Sequence, residues 1–241
     1  MLGFRHLTKY MYLEKFTKFL KTVDLNLYRE KFRPIKIVEM DLPKEIQAIS
    51  FLYKIYWNDK KFISFDDFYT EYSSVLKDEL ESFRKKIQMC KKCFYLGLPA
   101  RIYRTWASII TQIHAGYVAE SVFGNGSVEM NEDLDHKGAD FRVTYKNTKL
   151  NYQVKKETHS REVRRDKETS KTKLDGKFVD ILYIVPTSDI FNNPKTNKGK
   201  WRKPYTDFIN NKDLERFDNG FVVFTPTIFE KSKKEIDQKL K

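Results

Sequence analysis

The stretch Leu134-Asp135-His136-Lys137-Gly138-Ala139-Asp140-Phe141-Arg142-Val143, followed by Leu150-Asn151-Tyr152-Gln153-Val154-Lys155, decides how this chain folds. Short β-branched and aromatic runs over 140–145 and 150–155 read as two strands, and the turn expected at Gly138-Ala139 presents the Asp140 carboxylate at a sheet edge. Gln153 follows Asp140 by thirteen residues (153 minus 140). The two-residue period of a strand puts Gln153 and Lys155 on one face, and Tyr152 and Val154 on the other. A bulge would reverse that parity, bringing in Lys156 for Lys155 and Glu157 for Gln153. The runs 178–185 and 220–225 read as further strands of the same sheet.

Upstream, the periodicity becomes helical. Leu13, Phe16, Leu20 and Val23 recur at helical spacing over 12–23. Residues 31–39 alternate apolar and polar around Pro34, which suggests an extended arm or edge strand. Ser64 followed by Asp67 resembles a capping box opening one long helix over 65–88, after which Gly97 and Pro99 punctuate the chain. A second long helix is expected over 100–123, where Ile102, Trp106, Ile109, Ile113, Tyr117 and Glu120 follow at intervals of three or four. The class is therefore mixed α/β (α+β). A mainly helical region over 1–98 precedes a core over 99–241, the two integrated as one domain.

The bulk numbers narrow the partners. Forty-six basic against 33 acidic residues leave a net charge of +13, which favours a polyanion such as nucleic acid. No run of eighteen apolar residues and no signal-like block at the N-terminus is present, so a soluble, cytoplasmic protein of a bacterium or archaeon is expected, with no membrane partner. The two cysteines, Cys90 and Cys93, form one C-x-x-C with no second pair to complete a zinc site, and are read as reduced thiols.

Metal-assisted phosphodiester hydrolysis needs carboxylates to hold the cation and a polarised water to attack phosphorus. Asp140 is the leading ligand, Asp135 the better second acid of the cluster 132–140, and Glu120, on its mostly apolar helix face, a third. Lys155 or Lys156 would stabilise charge or orient the water. Acid, hairpin and amide-x-lysine together resemble the PD-(D/E)xK nuclease signature, with Gln153 at the usual second carboxylate position. Two basic segments, 155–173 and 192–203, are expected as loops that touch DNA. Lys156, His159, Ser160, Arg161, Arg164 and Arg165 lie in the first; Asn197, Lys198, Lys200, Arg202 and Lys203 lie in the second. A third cluster, Arg84-Lys85-Lys86 with Arg101 and Arg104, is a candidate grip on the DNA backbone.

Five segments, 28–35, 100–108, 134–143, 153–162 and 219–224, make the chain similar to the TaqI family of type II restriction endonucleases. The resemblance implies a PD-(D/E)xK restriction-endonuclease-like core with a central mixed sheet flanked by helices. It also implies Mg²⁺ dependence and cleavage of double-stranded DNA within the palindrome TCGA, leaving a two-base 5′ overhang. By the same resemblance the two active-site aspartates fall on Asp135 and Asp140, and the lysine within the pair Lys155-Lys156. A homodimer and a cognate DNA methyltransferase are implied with them.

Overall fold

The computed structural model of the chain describes residues 11–35, 42–157 and 174–239. These fall into two compact units, Met11–Ile113 with Phe217–Phe221, and His114–Arg216 with Val222 onward.

The first unit is helical: α1 (Met11–Thr22), α2 (Leu25–Phe32), α3 (Ala48–Leu52), α4 (Phe65–Val75), α5 (Lys77–Lys86) and the N-terminal part of α6 (Lys91–Phe123). The apolar stripe of α1 buries Phe16 and Leu20 as its spacing predicts. The core is aromatic, and two of its polar tips are satisfied in series. The Trp106 indole donates to the Tyr56 hydroxyl at 2.9 Å, which donates to the Ile63 carbonyl at 2.7 Å. The Asn219 amide donates to the carbonyls of Leu20 and Val23 where α1 ends. Its neighbour Gly220 has φ 94°, and a Cβ there would collide with the Asn26 side chain.

Four expectations about this unit need correction. The helix over 65–88 is two helices, because Leu76 leaves the helical region (φ −100°, ψ 24°) and α5 restarts with Asp78 and Glu79 in its first turn and Arg84, Lys85 and Lys86 in its last. The Ser64 cap itself is present, accepting the Asp67 N–H at 3.1 Å. Pro99 does not interrupt the chain but lies inside α6, where burial of Phe94, Leu98, Ile102 and Trp106 offsets the roughly 3 kcal/mol that an interior proline costs. Residues 31 and 32 end α2 instead of opening an extended arm, and 36–41 lie outside the described residues. Cys90 and Cys93, read as thiols, are joined as a disulfide at the start of α6.

The second unit carries a four-stranded mixed sheet in the order β1 (Val128–Glu129), β2 (Phe141–Tyr145), β3 (Thr148–Glu157), β4 (Lys177–Ile184), with a short helix α7 (Glu132–His136) between β1 and β2. The pairs β1–β2 and β2–β3 are antiparallel, and β3–β4 is parallel. A two-residue turn, Lys146 (φ 46°) and Asn147 (φ 62°), closes the β2–β3 hairpin. One sheet face packs Phe141, Val143, Leu150 and Tyr152 inward. Phe229 of the C-terminal helix α10 (Thr227–Lys239) covers this face, its ring centroid 5.5 Å from Tyr152 and 6.1 Å from Phe141. Before α10 come α8 (Ser188–Asn192), α9 (Lys203–Ile209), β5 (Leu214–Arg216) and β6 (Val222–Phe224). The strand expected over 220–225 is therefore β6, and it pairs with β5 in a separate two-stranded ladder, outside the main sheet. The mixed α/β class and central mixed sheet are those expected from sequence.

Candidate active site

The site is built where α7 hands the chain to β2. Asn131 caps α7 by accepting the Leu134 N–H at 2.9 Å, and the helix ends in a Schellman turn. The Gly138 N–H reaches the Asp135 carbonyl and the Ala139 N–H reaches the Leu134 carbonyl, both at 2.9 Å, with Gly138 at φ 87°. Leu134 and Ala139 are buried, so this turn fixes the direction in which the chain enters the sheet. Asp140 is delivered to the end of β2, 6 % exposed. Its backbone N–H donates to the Tyr152 carbonyl at 2.8 Å, and its carboxylate accepts the Val154 N–H at 2.6 Å. The side chain thereby continues the ladder ahead of Phe141, the first residue of β2.

The register sets the neighbours. Phe141 faces Tyr152 across the antiparallel pair, and Asp140, bonded to Tyr152 and Val154 on either side of Gln153, lies beside Gln153. On the other side of β3, Gln153 pairs with Asp180 and Lys155 with Leu182. Opposed residues share a face, so Gln153, Asp180, Lys155 and Leu182 stand together, opposite the face that α10 covers, with Asp140 at their edge through its bonds to Tyr152 and Val154. Pairing runs unbroken from Leu150 to Glu157, without a bulge, and places exposed Lys156 on the other face. The Lys155 ammonium lies 3.4 Å from an Asp180 carboxylate oxygen. Leu182 is 57 % exposed, which leaves the Lys155 end of the face open to solvent.

Gln153 is the unusual member. It is 2 % exposed, and its Oε1 is buried without a hydrogen-bond partner among the described residues. A buried amide oxygen in that state costs on the order of 1–3 kcal/mol, and a divalent cation beside the Asp140 carboxylate would satisfy it. Oxygen donors of this kind suit a hard cation such as Mg²⁺, so the residues present fit one. Among the described residues no group of three or more His, Cys, Asp or Glu side chains converges as a metal cage. Mg²⁺ commonly needs none, since it binds through one or two carboxylates and fills its shell with water and substrate phosphate.

The other candidates divide. Asp135 lies half-buried on α7, one Schellman turn from Asp140. Glu120, expected as a third ligand, instead accepts the Gly126 N–H at 2.9 Å and closes the loop after α6. His159, Ser160, Arg161, Arg164 and Arg165 lie outside the described residues. The segment 192–203 is less open than a loop, since Lys195 bridges Trp201 in a tight hairpin that displays Asn197, Lys198 and Lys200. Arg202 and Lys203, at the base of that hairpin, pair with Asp189 and Asp207. In the cluster considered for backbone contacts, Arg84 forks onto Glu81, Arg101 donates to Thr105 and Arg104 to the Ile35 carbonyl, so these arginines serve the helical unit itself. Sequence reasoning missed Asp180. A charge inside the apolar run Phe178-Val179-Asp180-Ile181-Leu182 was the available signal, but its place beside Gln153 depends on a parallel pairing that no local pattern encodes.

The family model described as TaqI restriction endonuclease matches residues 13–236. The chain is 31 % identical over 225 residues to the type II restriction enzyme TaqI of Thermus aquaticus, and 32 % identical over 223 residues to the type II restriction enzyme TthHB8I of Thermus thermophilus. Each alignment covers 88 % of this chain and 83 % of the relative. No solved structure matches. With a match that spans both units and carries the Asp140–Gln153–Lys155 face within it, the chain belongs to the TaqI restriction endonuclease family.

Proposed function

We propose that this protein is a type II restriction endonuclease that hydrolyses phosphodiester bonds in duplex DNA at the palindrome TCGA, leaving 5′ overhangs, with Mg²⁺ as its cofactor. The observation that carries the proposal is the buried Gln153 oxygen, without a partner among the described residues and beside Asp140, in a chain of this family. Asp140 and Gln153 would hold the cation, with Asp135 as the nearest further carboxylate. When bound, Mg²⁺ would neutralise charge on the phosphate and lower the pKa of a water.

The remaining roles belong to the chain. Lys155, on the Gln153 face, stabilises negative charge at the scissile phosphate. Asp180 steadies the Lys155 ammonium over that face. Lys156, on the opposite face, is left to DNA contacts outside the reacting centre. The +13 charge draws the polyanion in, and the lysines of the 195–203 hairpin are suited to its phosphates. A two-fold symmetric target calls for a homodimer in which each subunit cuts one strand, and a methyltransferase of the same specificity would protect the host.

Incubating the purified protein with plasmid and Mg²⁺, with an EDTA control, and sequencing the ends tests this. Discrete 5′-overhanging cuts at TCGA are expected. Nicks at branches or mismatches instead would make the protein a repair or junction nuclease, and bound but intact DNA would make it a binding protein.

A further inference from the structure

The hairpin over 194–203 holds five cations, Lys195, Lys198, Lys200, Arg202 and Lys203, and no acid. Arg202 and Lys203 are engaged by Asp189 and Asp207, whereas Lys195, Lys198 and Lys200 are exposed and make no ion pair among the described residues. Among them stands Trp201, 52 % exposed. Its ring lies nearly parallel to that of Tyr205 on α9, centroids 5.3 Å apart and planes 8° from parallel, and the Lys195 ammonium is 4.6 Å from its centroid. The hairpin is closed by the Lys195–Trp201 bridge, a 2.8 Å bond from the Thr196 N–H to the Lys200 carbonyl, and Gly199 at φ 74°. The other two tryptophans, Trp57 and Trp106, are buried.

A large apolar ring left half in water is disfavoured, and here it is held rigid by an aromatic backing and ringed by uncompensated cations. That combination suits a partner that sets apolar base surface beside phosphates, which describes DNA and not a lipid headgroup. We propose that Trp201 packs its indole against the bases of the bound duplex while Lys195, Lys198 and Lys200 take the neighbouring phosphates. The proposal rests on the reading of DNA as substrate, and it adds a base-contacting residue outside the Asp140, Gln153 and Lys155 set.

The charges and the ring predict different signatures. Lysine contacts release counterions, so the double variant K198A/K200A should flatten the slope of log affinity against log salt by about 0.9 per lost contact. An indole releases none, so Trp201→Ala should weaken binding about tenfold at every salt concentration and leave the slope unchanged. Trp201→Phe should retain most of the affinity. The experiment is a fluorescence titration of the full-length protein, with Ca²⁺ replacing Mg²⁺, against a duplex oligonucleotide containing TCGA, with anionic vesicles as the second arm.

Quenching of the acrylamide-accessible emission by duplex, absent from Trp201→Phe, is the expected result. Duplex binding that leaves that emission and the Trp201→Ala affinity unchanged overturns this proposal alone. No duplex binding by the parent overturns the DNA reading as well, and quenching by vesicles but not duplex assigns the hairpin to a membrane surface. Should Trp201→Ala fail to fold, the parent titration and Trp201→Phe decide.

Discussion

Substituting Asp140 separates the two duties its carboxylate performs. One oxygen accepts the Val154 N–H at 2.6 Å, a short, charge-assisted bond on a side chain only 6 % exposed, and the group is also the leading cation ligand. Asp140→Asn keeps an acceptor of the same shape for Val154 but removes the charge, which should cost about 1 kcal/mol of stability. Asp140→Ala leaves the Val154 N–H without an acceptor and should cost about 2 kcal/mol, near the middle of the range for a hydrogen bond to a charged group. For a chain of this length these become drops in Tm of about 3 °C and about 6 °C. Cleavage should respond differently, falling on the order of 10³-fold in both variants, because several kcal/mol of cation-dependent stabilisation is lost whichever residue replaces the carboxylate. Thermal unfolding followed by circular dichroism, beside single-turnover cleavage of a TCGA duplex, measures both. Cleavage by Asp140→Asn within tenfold of the parent would refute the ligand role, and a Tm for Asp140→Ala equal to the parent's would refute the structural one.

His114 is buried, and burial pushes its imidazole down to about 3, so below the ordinary value near 6.5 the unfolded chain takes up a proton that the folded chain refuses. Stability should be fully present above pH 6.5 and fall as the pH drops toward 3, by about 1.4 kcal/mol per unit from this residue; a His114→Gln variant with equally steep acid sensitivity in urea titrations would argue against it. Tyr56→Phe strands both the Trp106 indole N–H and the Ile63 carbonyl, and should lower urea stability by about 2–4 kcal/mol, with a loss under 1 kcal/mol counting against the relay. Asp180→Asn removes a partly exposed ion pair worth at most about 1 kcal/mol, so Tm should hardly move. Its kcat should nonetheless fall with DNA affinity intact, Asp180→Glu should restore part of it, and the change should have no effect in a Lys155→Ala background.

The site was legible where the rules are local. Strand parity alone placed Gln153 with Lys155, and the unbroken register kept them there; the apolar stripe of α6 from Ile102 to Tyr117 was equally plain. The failures share a cause, which is dependence on partners distant in sequence. Pro99 sits inside a helix because buried neighbours outweigh a local preference, and β6 joins β5 through tertiary pairing. Glu120, expected as a ligand, also accepts the Gly126 N–H of the following loop, a contact that its helical spacing does not foretell. The break at Leu76 is different. Asp78 and Glu79 ahead of Arg84-Lys85-Lys86 already spell a helix start and stop, a charge signal available to inspection and passed over in reading one helix from the Ser64 cap to 88.

The two-residue turn at Lys146 and Asn147 has a consequence for the order in which the molecule assembles. It lets β2 and β3 zip as a hairpin, an event of about 1–10 μs for an isolated pair, and that zipping alone brings Asp140 beside Gln153. The parallel partner β4 begins nineteen residues after β3 ends (177 − 157 − 1), so Asp180 reaches Lys155 only when that longer excursion closes. On this hypothesis the cation-holding pair is a product of early folding and the lysine's clamp a late addition. Asn147→Gly, which relieves the left-handed turn, should then speed refolding in stopped-flow measurements, whereas Asp180→Asn should leave the refolding rate alone; the opposite pattern would place the crossover first.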